Sequence, residues 1–259
     1  MTKAYFTITA GRTGTAWLSE FISKNLNIEV IHEPLGMNDF GVKMPDIRTL
    51  RNFNNLGNNT LVQDFWKMKF AIIRGDIYAE TNHTLAKCGL VENLLSSSLV
   101  GDVTLISLRR NIVKQCVSYL VRHDFGNITL AWQWYLHPTY LKKIVNPQWF
   151  LNKGQMGVAL WYCYEMSARQ AYYKLKYGDK LKIIEIELEK VVHNAGANNF
   201  WHEIGGLGDC VLPPPKNQNQ AQPTEQLIEQ VTHITSSINF DAEEMAYTAI
   251  KNGFTFEAA

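Results

Sequence analysis

The stretch "YFTITAGRTGTAWLSEF" at residues 5–21 constrains the fold more than any other part of the chain. An apolar run, "AYFTIT" at 4–9, breaks on Gly11-Arg12-Thr13-Gly14-Thr15, and the chain then places Leu18, Phe21, Ile22 and Leu26 at spacings of three and four. That order is a buried strand, a glycine-rich turn and a helix that begins near Thr15 and lays one apolar side on a sheet. A strand that feeds a helix through such a turn aims unpaired backbone N–H groups at the space above it, and that space attracts phosphate. Gly11 and Gly14 permit close backbone approach and positive φ, Thr13 and Thr15 offer hydroxyls, and Arg12 offers a bidentate guanidinium. The plainer alternative is an ordinary turn with N-capping threonines.

Strand-like runs recur at 28–32, 69–73, 103–108 and 181–188, with helical stretches between most of them, including 111–123 and 157–177. The alternation predicts a three-layer α/β fold, a mainly parallel central sheet with helices on both faces. A chain of 259 residues, 46% hydrophobic, can bury this as one domain spanning 1–259. Residues 36–68, rich in Asn and Gly ("RNFNNLGNNT"), are expected to form a long surface excursion and a flap over the site. Consecutive prolines keep "LPPPKNQNQAQP" at 212–223 extended or irregular.

A formal charge of +1 with no long basic block argues against nucleic acid or an anionic membrane as the main partner. Any anion site must therefore be local. No apolar run approaches the ~20 residues of a membrane span, and the first residues lack the features of a signal peptide, so a cytoplasmic protein is expected. Cys88, Cys116, Cys163 and Cys210 form no CxxC pair and read as reduced thiols, not as metal ligands.

A second anion site is suggested by "LISLRRNIVKQCVSYLVR" at 105–122. Arg109 and Arg110 fall where a strand ends, and Lys114, Ser118 and Arg122 follow at i, i+4 spacing on one helix face. Alone this could be a solvated basic face. Paired with the first loop, it suits one nucleotide with phosphates at both its 5′ and 3′ ends, lying across the carboxyl edge of the sheet. The Walker A loop of ATP and GTP enzymes needs Lys and then Ser or Thr after its last glycine; here Gly14 is followed by Thr15-Ala16.

With these residues the sequence resembles the sulfotransferases that use 3′-phosphoadenosine 5′-phosphosulfate (PAPS), a family with a P-loop NTPase-like fold. "GRTGTAWL" is similar to their first motif, and Arg110 followed by Ser118-Tyr119 matches the spacing of their second. The resemblance implies that Arg12, Thr13, Gly14, Thr15, Ala16 and Trp17 bind the 5′-phosphosulfate, with Trp17 near the adenine, and that Arg110 and Ser118 bind the 3′-phosphate. Arg12 stands where cytosolic members usually carry lysine, which keeps the charge and changes its geometry. Sulfuryl transfer from PAPS, leaving PAP, needs no metal in principle, but it needs a base. Glu33 in "VIHEPLG" is ranked first because several branches of the family carry a catalytic glutamate there; His83 in "YAETNHTL" is the other candidate. His32 should point away from Glu33 if the strand continues through it.

The implied activity is sulfation of a hydroxyl or nitrogen on a small molecule. A likeness to cyanobacterial tailoring enzymes points to a specialised metabolite, a guanidinium alkaloid of the saxitoxin type. A cationic acceptor would require acidic residues around the pocket, and Asp39, Asp64, Asp76 and Glu80 are available. The competing functions are a P-loop small-molecule kinase and a non-catalytic PAP/PAPS-binding protein.

Overall fold

The computed structural model describes residues 2–36, 38–126, 133–216, 219 and 221–258. Strand β1 (Lys3–Thr9) sends Ala4, Phe6 and Ile8 to one face and Tyr5 to the other, all buried. A strand apolar on both sides belongs inside a sheet with both faces covered. The glycine-rich turn follows, then α1 (Thr15–Leu26), which buries Trp17, Leu18, Phe21 and Ile22 and ends on Asn27 in the left-handed conformation. Next come β2 (Ile31–His32), α2 (Ile47–Leu56), α3 (Thr60–Ile72), β3 (Ile77–Thr81), a 3₁₀ turn at Leu85–Cys88 and α4 (Leu90–Leu94). Then follow β4 (Val103–Arg109), α5 (Ile112–Val121), α6 (Gln148–Leu151), the long α7 (Gly154–Tyr177) and β5 (Lys182–Glu187). The chain closes with α8 (Leu188–Val191), α9 (Asn194–Glu203), α10 (Glu225–Ser236) and α11 (Ala242–Lys251).

Among the described residues five strands pair in the order β2-β3-β1-β4-β5, every pair parallel. Helices α2, α3, α4, α7 and α11 cover one face through Phe53, Trp66, Leu90, Tyr172 and Ala246, while α1 and α9 cover the other through Phe21 and Phe200. This is the three-layer α/β architecture that the sequence pattern implies. A third apolar cluster joins α5, α7 and α10 beside Ala10, at the end of β1. Among the described residues no helix is long and apolar enough to cross a membrane. Cys88, Cys116 and Cys163 are buried free thiols, and burial pushes the Cys116 thiol up to about 12.

Two expectations are corrected. Residues 69–73 end α3, and the third strand is Ile77–Thr81 instead. "KFAII" is a short apolar run that a helix end and a buried strand can share, whereas the true strand carries Glu80, whose acidity hides it. Glu80 is buried because Lys69 of α3 meets it at 2.6 Å, both side chains almost wholly inaccessible, with Tyr78 Oη donating at 2.6 Å and Asn82 Nδ2 at 3.2 Å. Lys69→Ala should strand this carboxylate and lower stability by about 3–5 kcal/mol, measured as a lower denaturant midpoint.

The second correction concerns residues 36–68, whose latter half is no surface excursion. Leu50, Phe53, Val62, Phe65 and Trp66 of α2 and α3 lie in the core. The polar residues that suggested a loop serve the helices: Asp46 and Asn59 accept the N-cap bonds of Thr49 and Val62, and Asn54 donates to Leu50 and Lys87 carbonyls. The loop that remains, at 36 and 38–46, is tied down where Lys69 Nζ donates to the Lys43 carbonyl.

Because every strand is parallel, every strand ends at the same edge. The turn after β1, Glu33 after β2, His83 after β3, Arg110 after β4 and Glu189 after β5 all fall there.

Candidate functional site

The turn after β1 is held from below. Gln115 Nε2 donates to the Gly11 carbonyl at 2.9 Å, Tyr119 Oη donates to the same oxygen, and Gln170 bridges the Ile8 and Leu108 carbonyls at 2.8 and 2.9 Å. Thr13 faces inward, 2% exposed, with its hydroxyl 2.6 Å from that of Thr9 and donating to the Ala10 carbonyl at 2.8 Å. Its side chain therefore shapes the loop and leaves the backbone N–H to face a ligand. Arg12 and Gly14 both have positive φ, 58° and 95°. Gly14 is doubly required, since a Cβ there would sit 2.5 Å from Leu188 Cδ1. No side chain caps α1, and the amides of Thr13, Gly14, Thr15 and Ala16 have no hydrogen-bond acceptor among the described residues. Such amides at a helix N-terminus favour an anion.

The structure brings the two halves of the sequence motif together. Arg12 Nε donates to Ser118 Oγ at 3.0 Å, and Arg110 Nη1 donates to the Arg12 carbonyl at 2.8 Å. A third segment joins them: Arg12 Nη2 donates to Asn219 Oδ1, and Asn219 Nδ2 donates to Ser118 Oγ at 3.2 Å. Arg110 Nε is buried, 3.9 Å from Glu189, without a hydrogen-bond partner among the described residues. Burial lowers the pKa of both guanidiniums, with Arg122 adding to the effect on Arg12 and Tyr135 and Asp124 opposing it. Desolvated cations of this kind are stabilised by an incoming anion. Lys114 is exposed and Arg109 pairs with Glu185 at 2.6 Å, so neither turns into this cluster. Arg122 pairs with Asp124 at 3.2 Å, and burial raises the Asp124 carboxyl pKa.

Trp17 lies within the α1-side core, 4% exposed, stacked on Phe21 and donating from Nε1 to the Pro213 carbonyl at 3.2 Å. Ala16 lies beside it in the first turn of α1.

Across the loop stand the two candidate bases. Glu33 has φ 43° and receives a hydrogen bond from Thr15 Oγ1 at 3.4 Å. Among the described residues the other non-glycine positive φ values belong to Arg12, His123 and the helix-ending Asn27. Arg12 in the loop and Glu33 beside it are thus both left-handed, a conformation that costs free energy and is held where function fixes a side chain. His32 turns to Thr81, its Nδ1 3.0 Å from that carbonyl. His83 is positioned by Asn82, whose Oδ1 accepts from the Thr84 amide and hydroxyl at 2.9 and 2.8 Å. Its Nδ1 lies 2.9 Å from Lys87 Nζ, and burial, then Lys87, hold its pKa well below the usual histidine range.

A cavity of about 500 Å³ opens behind Tyr135, lined by Phe125, Tyr140, Arg51, His137 and Gln155 among others. Tyr135 separates it from the loop: its ring is 5.7 Å from that of His83, its Oη donates to Asp124 at 3.4 Å, and a Cβ on Gly11 would touch it at 3.2 Å. The acidic residues expected around a cationic acceptor do not converge here. Asp39 pairs with Lys43 at 3.0 Å, Glu80 with Lys69 at 2.6 Å, Asp76 precedes β3 at the opposite sheet edge, and Asp64 lines a separate cavity with Trp66 and Phe70.

Sequence reasoning missed Lys87, Asp124 and Asn219. Lys87 was within reach, because "HTLAK" sets His and Lys one helical turn apart. Asn219 was not, since nothing local ties an Asn-Gln tract to a loop two hundred residues away.

No protein-family model matches the chain, and no curated protein matches it. Among solved structures it is similar to the crystal structure of a sulfotransferase from Alicyclobacillus acidocaldarius, at 15% identity and a TM-score of 0.48, covering 97% of this chain and 96% of that one.

Proposed function

We propose that the protein is a PAPS-dependent sulfotransferase acting on a small molecule. The observation that carries this reading is the union of Arg12, Ser118 and Arg110 in one cluster beside open loop amides. A ligand with an anionic group at each end fits this donor set, and the buried Arg110 Nε, 3.9 Å from Glu189 and without a hydrogen-bond acceptor among the described residues, suits one of them. When bound, PAPS supplies a sulfuryl group on a phosphate leaving group. The amides of residues 13–16 and the Arg12 guanidinium stabilise charge that develops on the leaving oxygen. Arg110, Ser118 and Asn219 hold the 3′-phosphate. Glu33 takes the proton of the attacking hydroxyl or amine, and His83 orients that group.

The cavity beside Tyr135 is walled by aromatic rings and carries Arg51, so a neutral or anionic acceptor with a ring body suits it better than a guanidinium alkaloid. Glu33 and His83 beside the anion loop favour an enzyme over a sensor of PAP, and the Thr15-Ala16 pair disfavours a kinase.

Calorimetry with PAP, ATP and GTP tests the donor. PAP should bind tightly without Mg²⁺ and the others weakly, and Arg110→Ala or Ser118→Ala should weaken PAP by about tenfold or more, the scale of a charge-assisted hydrogen bond. Unchanged affinity in both variants would refute the 3′-phosphate assignment. Transfer of labelled sulfate from PAPS into a metabolite extract then tests the activity and names the acceptor.

A further inference from the structure

Lys87 lies in the 3₁₀ turn that follows β3 and is fully buried, yet no carboxylate pairs with it among the described residues. Its Nζ meets three groups instead: His83 Nδ1 at 2.9 Å, Tyr162 Oη at 2.9 Å and the Trp134 carbonyl. The rings of Tyr135 and Tyr162 flank it, each with its centroid 5.3 Å away.

This cage fits two protonation states. An ammonium has three N–H donors and no acceptor, so it donates to all three neighbours, and a neutral His83 must then carry its proton on Nε2. An amine has two N–H donors and one lone pair. It donates to the Trp134 carbonyl and Tyr162 Oη, which leaves the lone pair to accept from His83 Nδ1–H, and Nε2 is then bare. Nε2 has no side-chain hydrogen-bond partner among the described residues, so either form is available to a ligand.

We propose that Lys87 is a positioning residue that sets the tautomer of His83 and so switches Nε2 between hydrogen-bond donor and proton acceptor. The switch itself rests on the cage; its catalytic meaning rests on the sulfotransferase reading. With the ammonium, His83 can only orient the acceptor, and Glu33 is the base. With the amine, Nε2 takes the proton of the attacking group while the Nδ1 proton passes to Lys87, so His83 stays neutral and Lys87 ends as the ammonium.

The groups facing Lys87 set where this happens. Its own turn contributes His83 and the Cys88 thiol, the end of β2 contributes Glu33 and His32, and α2 contributes the neutral Asn54. The phenols of Tyr135 and Tyr162 are held neutral by burial, and Arg169 of α7 opposes a positive charge. Burial dominates and brings Lys87 down to about 7, with Glu33 acting in the other direction.

The test uses the whole protein labelled with ¹⁵N-histidine, the His83 signal being assigned by its loss in His83→Gln. His83 should hold its proton on Nε2 in acid and on Nδ1 in base, with a midpoint near 7, and Lys87→Met should abolish the transition. One unchanging tautomer across that range, or the same transition in Lys87→Met, would overturn the proposal, and the wild-type titration decides even if the variant fails to fold. Kinetics supply a second readout: residual turnover of Glu33→Gln should rise about tenfold per pH unit up to a midpoint below the wild-type one, because the carboxylate that favours the Lys87 ammonium is gone, and then level off, and Lys87→Met should flatten the rise. The two readings fail separately. A tautomer that switches in a protein that does not bind PAP retains the coupling and removes the sulfotransferase; PAP binding with a fixed tautomer does the reverse.

Discussion

Arg12→Ala should lower turnover about 10²- to 10³-fold, the cost of removing one donor aimed at developing charge. The size of the effect follows from how the residue is held. Its backbone is fixed in the left-handed region at φ 58°, and its guanidinium is braced by Ser118 Oγ at 3.0 Å and by Asn219. A charge fixed before the reaction needs no reorganisation during it. Its half-buried setting, which lowers its own pKa, also weakens solvent screening of a bound anion. Arg12→Lys keeps the charge and loses the planar fork, so it should fall between wild type and alanine. Steady-state rates with PAPS, set beside PAP affinity, separate the roles. A loss confined to affinity, with turnover intact, would make Arg12 a binding group and deny it any part in the transition state.

Local chemistry was legible in the sequence where a short segment carries its own periodicity. The first helix, the basic turn after β4 and the irregular 212–216 segment all stand where glycine, proline and apolar spacing put them. The mainly parallel sheet was legible too, since alternation of strands and helices leaves few other topologies; the structure makes every pair parallel. What could not be read were the elements that owe their state to a distant partner. Ile77–Thr81 can bury Glu80 because Lys69 pairs with it, and the Asn- and Asp-rich stretch forms two helices, 47–56 and 60–72, whose N-termini Asp46 and Asn59 cap.

The candidate site divides along the same line. Arg12, Gly14, Arg110 and Ser118 announce themselves through motif spacing. Gln115, Gln170, Lys87 and Asn219 do not, because each acts through a carbonyl or side chain far away in sequence. The acidic residues proposed to bind a cation show the converse error. Charge counted along the chain is not charge in the pocket, and Asp39 and Glu80 already had lysine partners.

Glu33→Gln should reduce turnover about 10²- to 10⁴-fold, the range for loss of a positioned general base, while leaving PAP affinity nearly unchanged. Glutamine keeps the length of the side chain and an oxygen able to accept from Thr15 Oγ1, so the loop beside it should survive. What disappears is the capacity to take a proton. The split between turnover and affinity matters because Glu33 lies close to the anion loop, and a merely structural role would disturb both. Glu33→Ala adds a second check: it opens space beside Thr15, and a small carboxylate such as formate, added to the assay, should restore part of the rate to Glu33→Ala and none to Glu33→Gln, where the amide fills the place. A Glu33→Gln enzyme of near-normal rate would exclude Glu33 as the base and pass the role to His83, whose fitness for it then depends on the proton that Lys87 does or does not carry.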